Sequence, residues 1–359
     1  MANVTYTVSN KNGSYDGDMV VKQYTTVNVD SGDYVTTDQP CRGMFLLATG
    51  NFTVDGTISM TSKGALANPT SSGGSDSNSV DSNGLRFPFV TSGGSSSLTA
   101  ADTLLNGCGT TDRSVIANFK TLSSDGTILS VVRQGANGGA GASPGTGTTG
   151  SNGSTGQSGG GGSGASNHAG TSGAGAYGSC FSGGSGGGPI DNNGSGTTAG
   201  TNWGGAGGTF GSGHNAGGTG GAGNPKGANV NTGGSSMGFV APTSANNISP
   251  VGGGTGGLIV IVVGGNVAIN ASGKILANGG SSDHITGAND WLSTGGAAGG
   301  GNIIIAHRGT YTNNGTVTAN GGIAGKTWND SVGGSESSGT HSNDGGSGGN
   351  GSVQVLQIS

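Results

Sequence analysis

The sequence predicts an all-β protein: a β-solenoid body, parallel β-helix-like, whose glycine-rich excursions pack as polyglycine-II helices. Three observations carry that expectation. Of the 359 residues, 85 are Gly, far above the usual share of about 7%. The apolar residues gather into short β-branched runs between glycine tracts, and no stretch sustains the 3.6-residue apolar period of a helix. A degenerate motif also recurs along the chain.

The motif is clearest near the C-terminal end. Residues 258–280 read LIVIVVGGNVAINASGKILANGG and residues 302–322 read NIIIAHRGTYTNNGTVTANGG. Each has an apolar run, a glycine break, then alternation around Gly-(Lys/Thr)-(Ile/Val)-x-Ala-Asn-Gly-Gly. Residues 44–64 (MFLLATGNFTVDGTISMTSKG) carry the same run, break and Gly-Thr-Ile element, and residues 114–139 contain SDGTILSVV followed by GANGG. Residues 25–37 read as an incomplete first copy and residues 352–358 as a closing strand. Asp55-Gly56, Asp125-Gly126 and Asn314-Gly315 are turn dipeptides suited to positive φ, so each copy reads as two short strands around a tight turn. One copy has too little apolar surface to bury alone, and copies are expected to stack, with Ile261 and Ile304 on inward faces. A short turn equally suits a hairpin, which leaves an antiparallel β-sandwich as the alternative.

Three regions follow: a strand-rich N-terminal body (1–134), a glycine-rich region (135–257) and C-terminal β repeats with shorter glycine-rich loops (258–359). Glycine and serine tracts ordinarily make flexible linkers. Ordering one costs roughly 1–2 kcal/mol per residue in backbone entropy, so only extensive cooperative hydrogen bonding would hold it. Polyproline-II-like geometry supplies the means, because three residues per turn let a Gly-Gly-x repeat bare its backbone on two of three edges.

Composition also narrows function. Charged residues are 8% of the chain and the net charge is -5, with Lys and Arg dispersed, so nucleic acid is not an expected partner. No apolar run approaches the roughly 20 residues that span a bilayer, and Met1 to Tyr6 does not open a signal peptide, so membrane insertion is not expected. Cys41, Cys108 and Cys180 are odd in number and widely spaced, which suits a reducing cytoplasm better than a disulfide framework. The five His lack metal-ligand spacing, and no HExxH, CxxC or complete phosphate loop is present. Carboxylates are scarce, and Asp55 and Asp125 sit in turn dipeptides that already explain them, which weighs against a polysaccharide depolymerase. No catalytic residue, metal or cofactor is therefore expected.

The GGxGG tracts of residues 135–257, echoed at 295–301 and 345–351, resemble the glycine-rich distal tail-fibre adhesins of T-even-type phages. The resemblance implies a polyglycine-II sandwich whose intervening loops contact the bacterial surface. It implies a non-enzymatic virion adhesin, made in the host cytoplasm without a signal peptide and acting at the virion or extracellular surface. A bacterial surface glycan or outer-membrane protein, other virion or filament subunits, and further copies of the chain would be its partners. The strand-rich N-terminal part departs from that family and is more like β-helical phage and bacterial surface proteins. Aromatic residues between glycine tracts combine apolar area with few rotamers to freeze, making Tyr177, Phe181, Trp203, Phe210, Trp291 and Trp328 the receptor-binding candidates. The competing readings are a purely structural subunit of a head decoration, fibre shaft or filament, and a depolymerase.

Overall fold

The computed structural model describes residues 2–9, 11, 17–64, 139–140, 145–156, 158–168, 175, 178, 182–184, 186, 254–282, 285–287, 295–325, 327–329 and 344–358. Among these residues every regular element is a strand. In chain order they are β1 (Val4–Tyr6), β2 (Val20–Tyr24), β3 (Val27–Val29), β4 (Tyr34–Thr37), β5 (Met44–Ala48), β6 (Phe52–Val54) and β7 (Thr57–Ser59). The short strands β8 (Gly145–Thr148) and β9 (Ser166–His168) come next, then β10 (Leu258–Val263), β11 (Val267–Ile269), β12 (Lys274–Leu276) and β13 (Ile285–Gly287). The series ends with β14 (Asn302–His307), β15 (Tyr311–Asn313), β16 (Thr316–Thr318), β17 (Thr327–Asn329) and β18 (Ser352–Gln357).

Most of these strands belong to three sheets. Their orders are β2-β5-β10-β14-β18, β3-β6-β11-β15 and β1-β4-β7-β12-β16, and every pairing within them is parallel. The chain visits the three in cyclic order, so each sheet gains one strand per copy of the motif. Parallel pairing throughout excludes the antiparallel sandwich for these sheets. Each copy also supplies three strands, where the sequence suggested two. The apolar run (β10), the Val-Ala-Ile stretch (β11) and the Lys-Ile-Leu stretch (β12) occupy one sheet apiece. The expected incomplete first copy is a full set, β2 to β4, and the closing strand is β18. The copy expected at 114–139 lies outside the described residues apart from Gly139.

Register explains the core. Ile259, Ile261 and Val263 join Met44, Leu46, Ala48, Ile303 and Ile305 in one buried cluster with Phe52, Val54, Val267, Ile269, Ile58 and Ile275. Alternate residues of a strand point to opposite faces, and Ile304 pairs with Val260, one step from Ile261. Ile304 therefore belongs to the outer face, correcting the inward placement; Ile261 is inward as expected. That outer face is itself covered: Phe45, Val260 and Ile304 have no exposed area. Both faces of β10 and β14 are buried, which accounts for their unbroken apolar runs.

Corners are fixed by polar side chains and close packing. Between the first and second sheets, Asn51 Oδ1 accepts from the amide of Asn266 at 3.0 Å, and Asn266 Oδ1 accepts from that of Thr310 at 2.8 Å. At the next corner the Asn270 amide group donates to Asp55 Oδ1 at 2.9 Å. The glycines expected there at positive φ do not need it: among the described residues only Gly32, Gly43 and Ser62 have it. Gly56 and Gly315 are required for space, since a Cβ at Gly56 would strike the carbonyl oxygens of Asp30 and Asp33 and one at Gly315 those of Gly273 and Asn270. Asp125-Gly126 lies outside the described residues.

The third corner, from the third sheet back to the first, is where the glycine-rich chain departs. The intervals 60–257, 277–301 and 319–351 all leave and rejoin there. Lys63 is buried where the first of them leaves, its ammonium 3.3 Å from the carbonyl oxygen of Asp38. Burial pushes its pKa down, with Cys41 and Asp38 offsetting part of the effect. A lysine whose folded pKa is lowered binds its proton more weakly folded than unfolded, so stability rises as pH climbs through the ordinary lysine range, and at neutral pH the charge is a standing cost. Lys63→Met is expected to raise neutral-pH stability by about 1 kcal/mol and to flatten that alkaline rise, both read from urea unfolding at several pH values.

Candidate functional site

The returning glycine segments form a second packed body made of main chain. Gly150, Gly153 and Gly156 donate to the carbonyls of Asp344, Ser347 and Asn350; Gly159 and Gly162 donate to those of Gly300 and Ala297; Gly345, Gly348 and Gly351 donate to those of Gly325, Gly322 and Ala319. Partners recur every third residue, the step of an extended helix with three residues per turn, whereas a sheet ladder would recur every second.

Residues 297–301 lie at the centre. Ala297 and Gly300 donate to Gly346 and Gly349, Ala298 and Gly301 to Gly280 and Ala277, and Gly299 to Gly184. Their carbonyls accept from a different set: Ala297 from Gly162, Ala298 from Gly322, Gly299 from Gly256 and Gly300 from Gly159. One segment is thus bonded to six neighbours, three through its amides and three through its carbonyls. Residues 158–165, 254–257 and 295–301 are all buried. Buried backbone must be hydrogen-bonded, and here this cross-bonding replaces an apolar interior.

The segments alternate in direction. Residues 277–282 and 319–325 lead away from the three sheets, while residues 295–301 and 344–351 lead back to β14 and β18. Residues 150–156 run alongside 344–350, so Gly150 and Ser163 lie at the end remote from the sheets. Two small strand pairs occupy that remote end. In one, β8 and β9 are antiparallel, with Gly145 opposite His168 and Thr148 opposite Ser166. In the other, β13 and β17 are parallel, with Ile285, Thr286 and Gly287 opposite Thr327, Trp328 and Asn329. Through β13 and β17 the excursions 277–301 and 319–351 are joined away from the three sheets.

Of the six expected receptor-binding residues, Trp328 lies in β17 at this remote end, its backbone opposite Thr286. Tyr177, Phe181, Trp203, Phe210 and Trp291 lie outside the described residues. Among the described residues no cluster of His, Cys, Asp or Glu could hold a metal ion, and no helix is long and apolar enough to cross a membrane.

Sequence reasoning missed the side chains that seal the lattice rim. Asn152 Oδ1 accepts from the amide of Ser347 at 2.8 Å, Asn278 Oδ1 from that of Asn320 at 2.8 Å, and Asn350 Oδ1 from that of Gly321 at 2.9 Å. Ser281 Oγ accepts from the amide of Ile323 at 3.0 Å. The signal was present in the recurring Ala-Asn-Gly-Gly: Asn278 and Asn320 each stand where a strand copy ends and a glycine segment begins, and a short amide side chain can satisfy backbone that no neighbouring segment reaches. Comparison with known proteins finds no match to a family model, a curated sequence or a solved structure.

Proposed function

We propose that the chain is a non-enzymatic virion adhesin, a parallel β-helix-like solenoid carrying a polyglycine-II lattice whose far tips contact a bacterial surface glycan or outer-membrane protein. The observation that carries this reading is the separation of scaffold from tip: an internally hydrogen-bonded glycine body stands between the three sheets and the strand pairs β8–β9 and β13–β17. A lattice of bare backbone holds shape and offers little chemistry for discrimination. Recognition then falls to what the lattice displays, and aromatic side chains at such positions are efficient anchors. The protein would act at the virion or extracellular surface.

The test substitutes Ala in pairs at Trp291 and Trp328, Tyr177 and Phe181, and Trp203 and Phe210. At least one pair is expected to reduce binding of the purified protein to susceptible cells tenfold or more while the unfolding midpoint stays that of the wild type; anchor residues commonly cost about 2 kcal/mol, roughly thirtyfold in affinity. If every pair lowers stability and binding together, the aromatics are packing residues and the structural-subunit reading takes over. Wild-type protein that binds no cells ends the adhesin reading. Release of reducing ends from host polysaccharide would replace it with the depolymerase.

A further inference from the structure

The two ends of the stacked sheets are finished differently. At the N-terminal end, Lys22 and Tyr24 take the register positions of the core residues Leu46 and Ala48. Tyr6 packs there at 8% exposure, its hydroxyl 2.6 Å from that of Tyr24, and the Lys22 ammonium lies 5.5 Å from the centre of the Tyr6 ring. A cation and two phenols thus close this end.

At the C-terminal end the inward positions stay apolar. Val353 and Val355 pair with the core residues Ile303 and Ile305 yet are each 39% exposed. With Ile323, 67% exposed on the excursion that precedes β18, they are the exposed large apolar side chains among the described residues. Beside them, Tyr311 and Val317 are half-buried against the core cluster. Among the described residues β18, β15 and β16 are the outermost strands of their sheets here. An apolar end with outermost strands is a template for further strand pairing unless something covers it.

We propose that this end is the interface for a second copy of the chain, joined C-terminal end to C-terminal end about a two-fold axis. Two observations select that occupant. First, the inward face of β18 is self-complementary: the order Val353-Gln354-Val355 is the same read in either direction. An antiparallel copy centred on Gln354 sets Val353 against Val355 of its twin and keeps every valine on the inner face. Second, charge opposes the head-to-tail alternative, because stacking the other end onto Val353 and Val355 would drive Lys22 into an apolar contact. A two-fold contact closes after two copies and leaves the polar end free.

Sedimentation velocity and light scattering of the full chain, from nanomolar to high micromolar concentration, test this. The wild type is expected to pass from one copy to two and no further. The double variants Val353→Lys with Val355→Lys, and Val353→Glu with Val355→Glu, should each remain single while keeping the wild-type circular dichroism and unfolding midpoint. An equal mixture of the two should recover the two-copy species. Lys22→Ala, at the opposite end, should leave the mass distribution unchanged. A wild type that stays single throughout, doubles that still pair with themselves, or open-ended growth that Lys22→Ala abolishes would each overturn the proposal. If the doubles fail to fold, wild-type amide exchange over Ser352–Gln357 decides: it should slow as concentration rises through the transition, and exchange independent of concentration would refute the contact. Cell binding plays no part in these readouts, so the interface and the adhesin reading stand or fall separately.

Discussion

Gly299→Ala is expected to destabilise the protein by about 4 kcal/mol or more, at the extreme of what single substitutions do. A Cβ at this position would overlap the carbonyl oxygen of Gly159, a backbone atom that no rotamer change can move aside. Gly299 also donates to Gly184 and accepts from Gly256, so separating the segments to make room breaks bonds on two further sides. Overpacking ordinarily costs 1–3 kcal/mol because neighbouring side chains yield; here the neighbours are main chain tied to other main chain. Ala297 and Ala298 supply the contrast, since the same central segment already holds two buried methyl groups. Ala297→Gly should cost only about 1 kcal/mol, the loss of one buried methyl plus the greater freedom of unfolded glycine. Urea unfolding of both variants decides the matter. Equal, small effects would mean that residues 295–301 are not packed on all sides.

The second large effect is expected at Ile261→Asp. Ile261 has no exposed area and lies in the shared core cluster. A carboxylate there would be desolvated without a partner, and protonation would only partly relieve the cost, so a loss of several kcal/mol or failure to fold at neutral pH is expected. Ile304→Asp should be comparably severe from the opposite face of its strand, because that face is covered as well. Lys274→Asp, on an exposed position next to the core residue Ile275, should stay within about 0.5 kcal/mol. Thermal unfolding of the three variants separates the cases; a tolerated Ile261→Asp would contradict the register that places it inside.

Strand positions were legible because the sequence repeats. The correspondence of residues 258–280 with 302–322 reappears as hydrogen-bonded register from Leu258 opposite Asn302 to Leu276 opposite Thr318. The number of strands per copy was less legible: Val267–Ile269 and Lys274–Leu276 are three residues each, too short to show alternation apart from their neighbours. Parallel pairing was expected from the stacking of the repeat and is what the sheets show, but the turns alone left the antiparallel alternative open, because a tight turn between short strands has the same local chemistry in a hairpin and at a corner. In the glycine tracts, composition suggested three-residue geometry but not which segments meet, since Gly159 and Gly300 carry no side chain to mark their partnership. For the candidate site, only Trp328 can be placed, and what places it is the pairing of β13 with β17, two three-residue strands from different excursions.

All the glycine excursions leave from one corner, and the central segment 295–301 is bonded both to residues before it in the chain and to residues after it. Its partners span Gly159 to Gly349, so most of the lattice is made of contacts distant in sequence. Closing such loops spends chain entropy before the bonds that reward it exist, which makes high-contact-order structures slow to fold. During synthesis the early strands β2 to β7 can associate as they emerge, whereas residues 150–165 must wait for 297–300 and then for 344–350. Until then the amides of Gly150, Gly153, Gly159 and Gly162 lack the partners they have in the finished fold. The cross-bonds to 297–300 and 344–350 can therefore form only late in synthesis, after both returning segments have emerged.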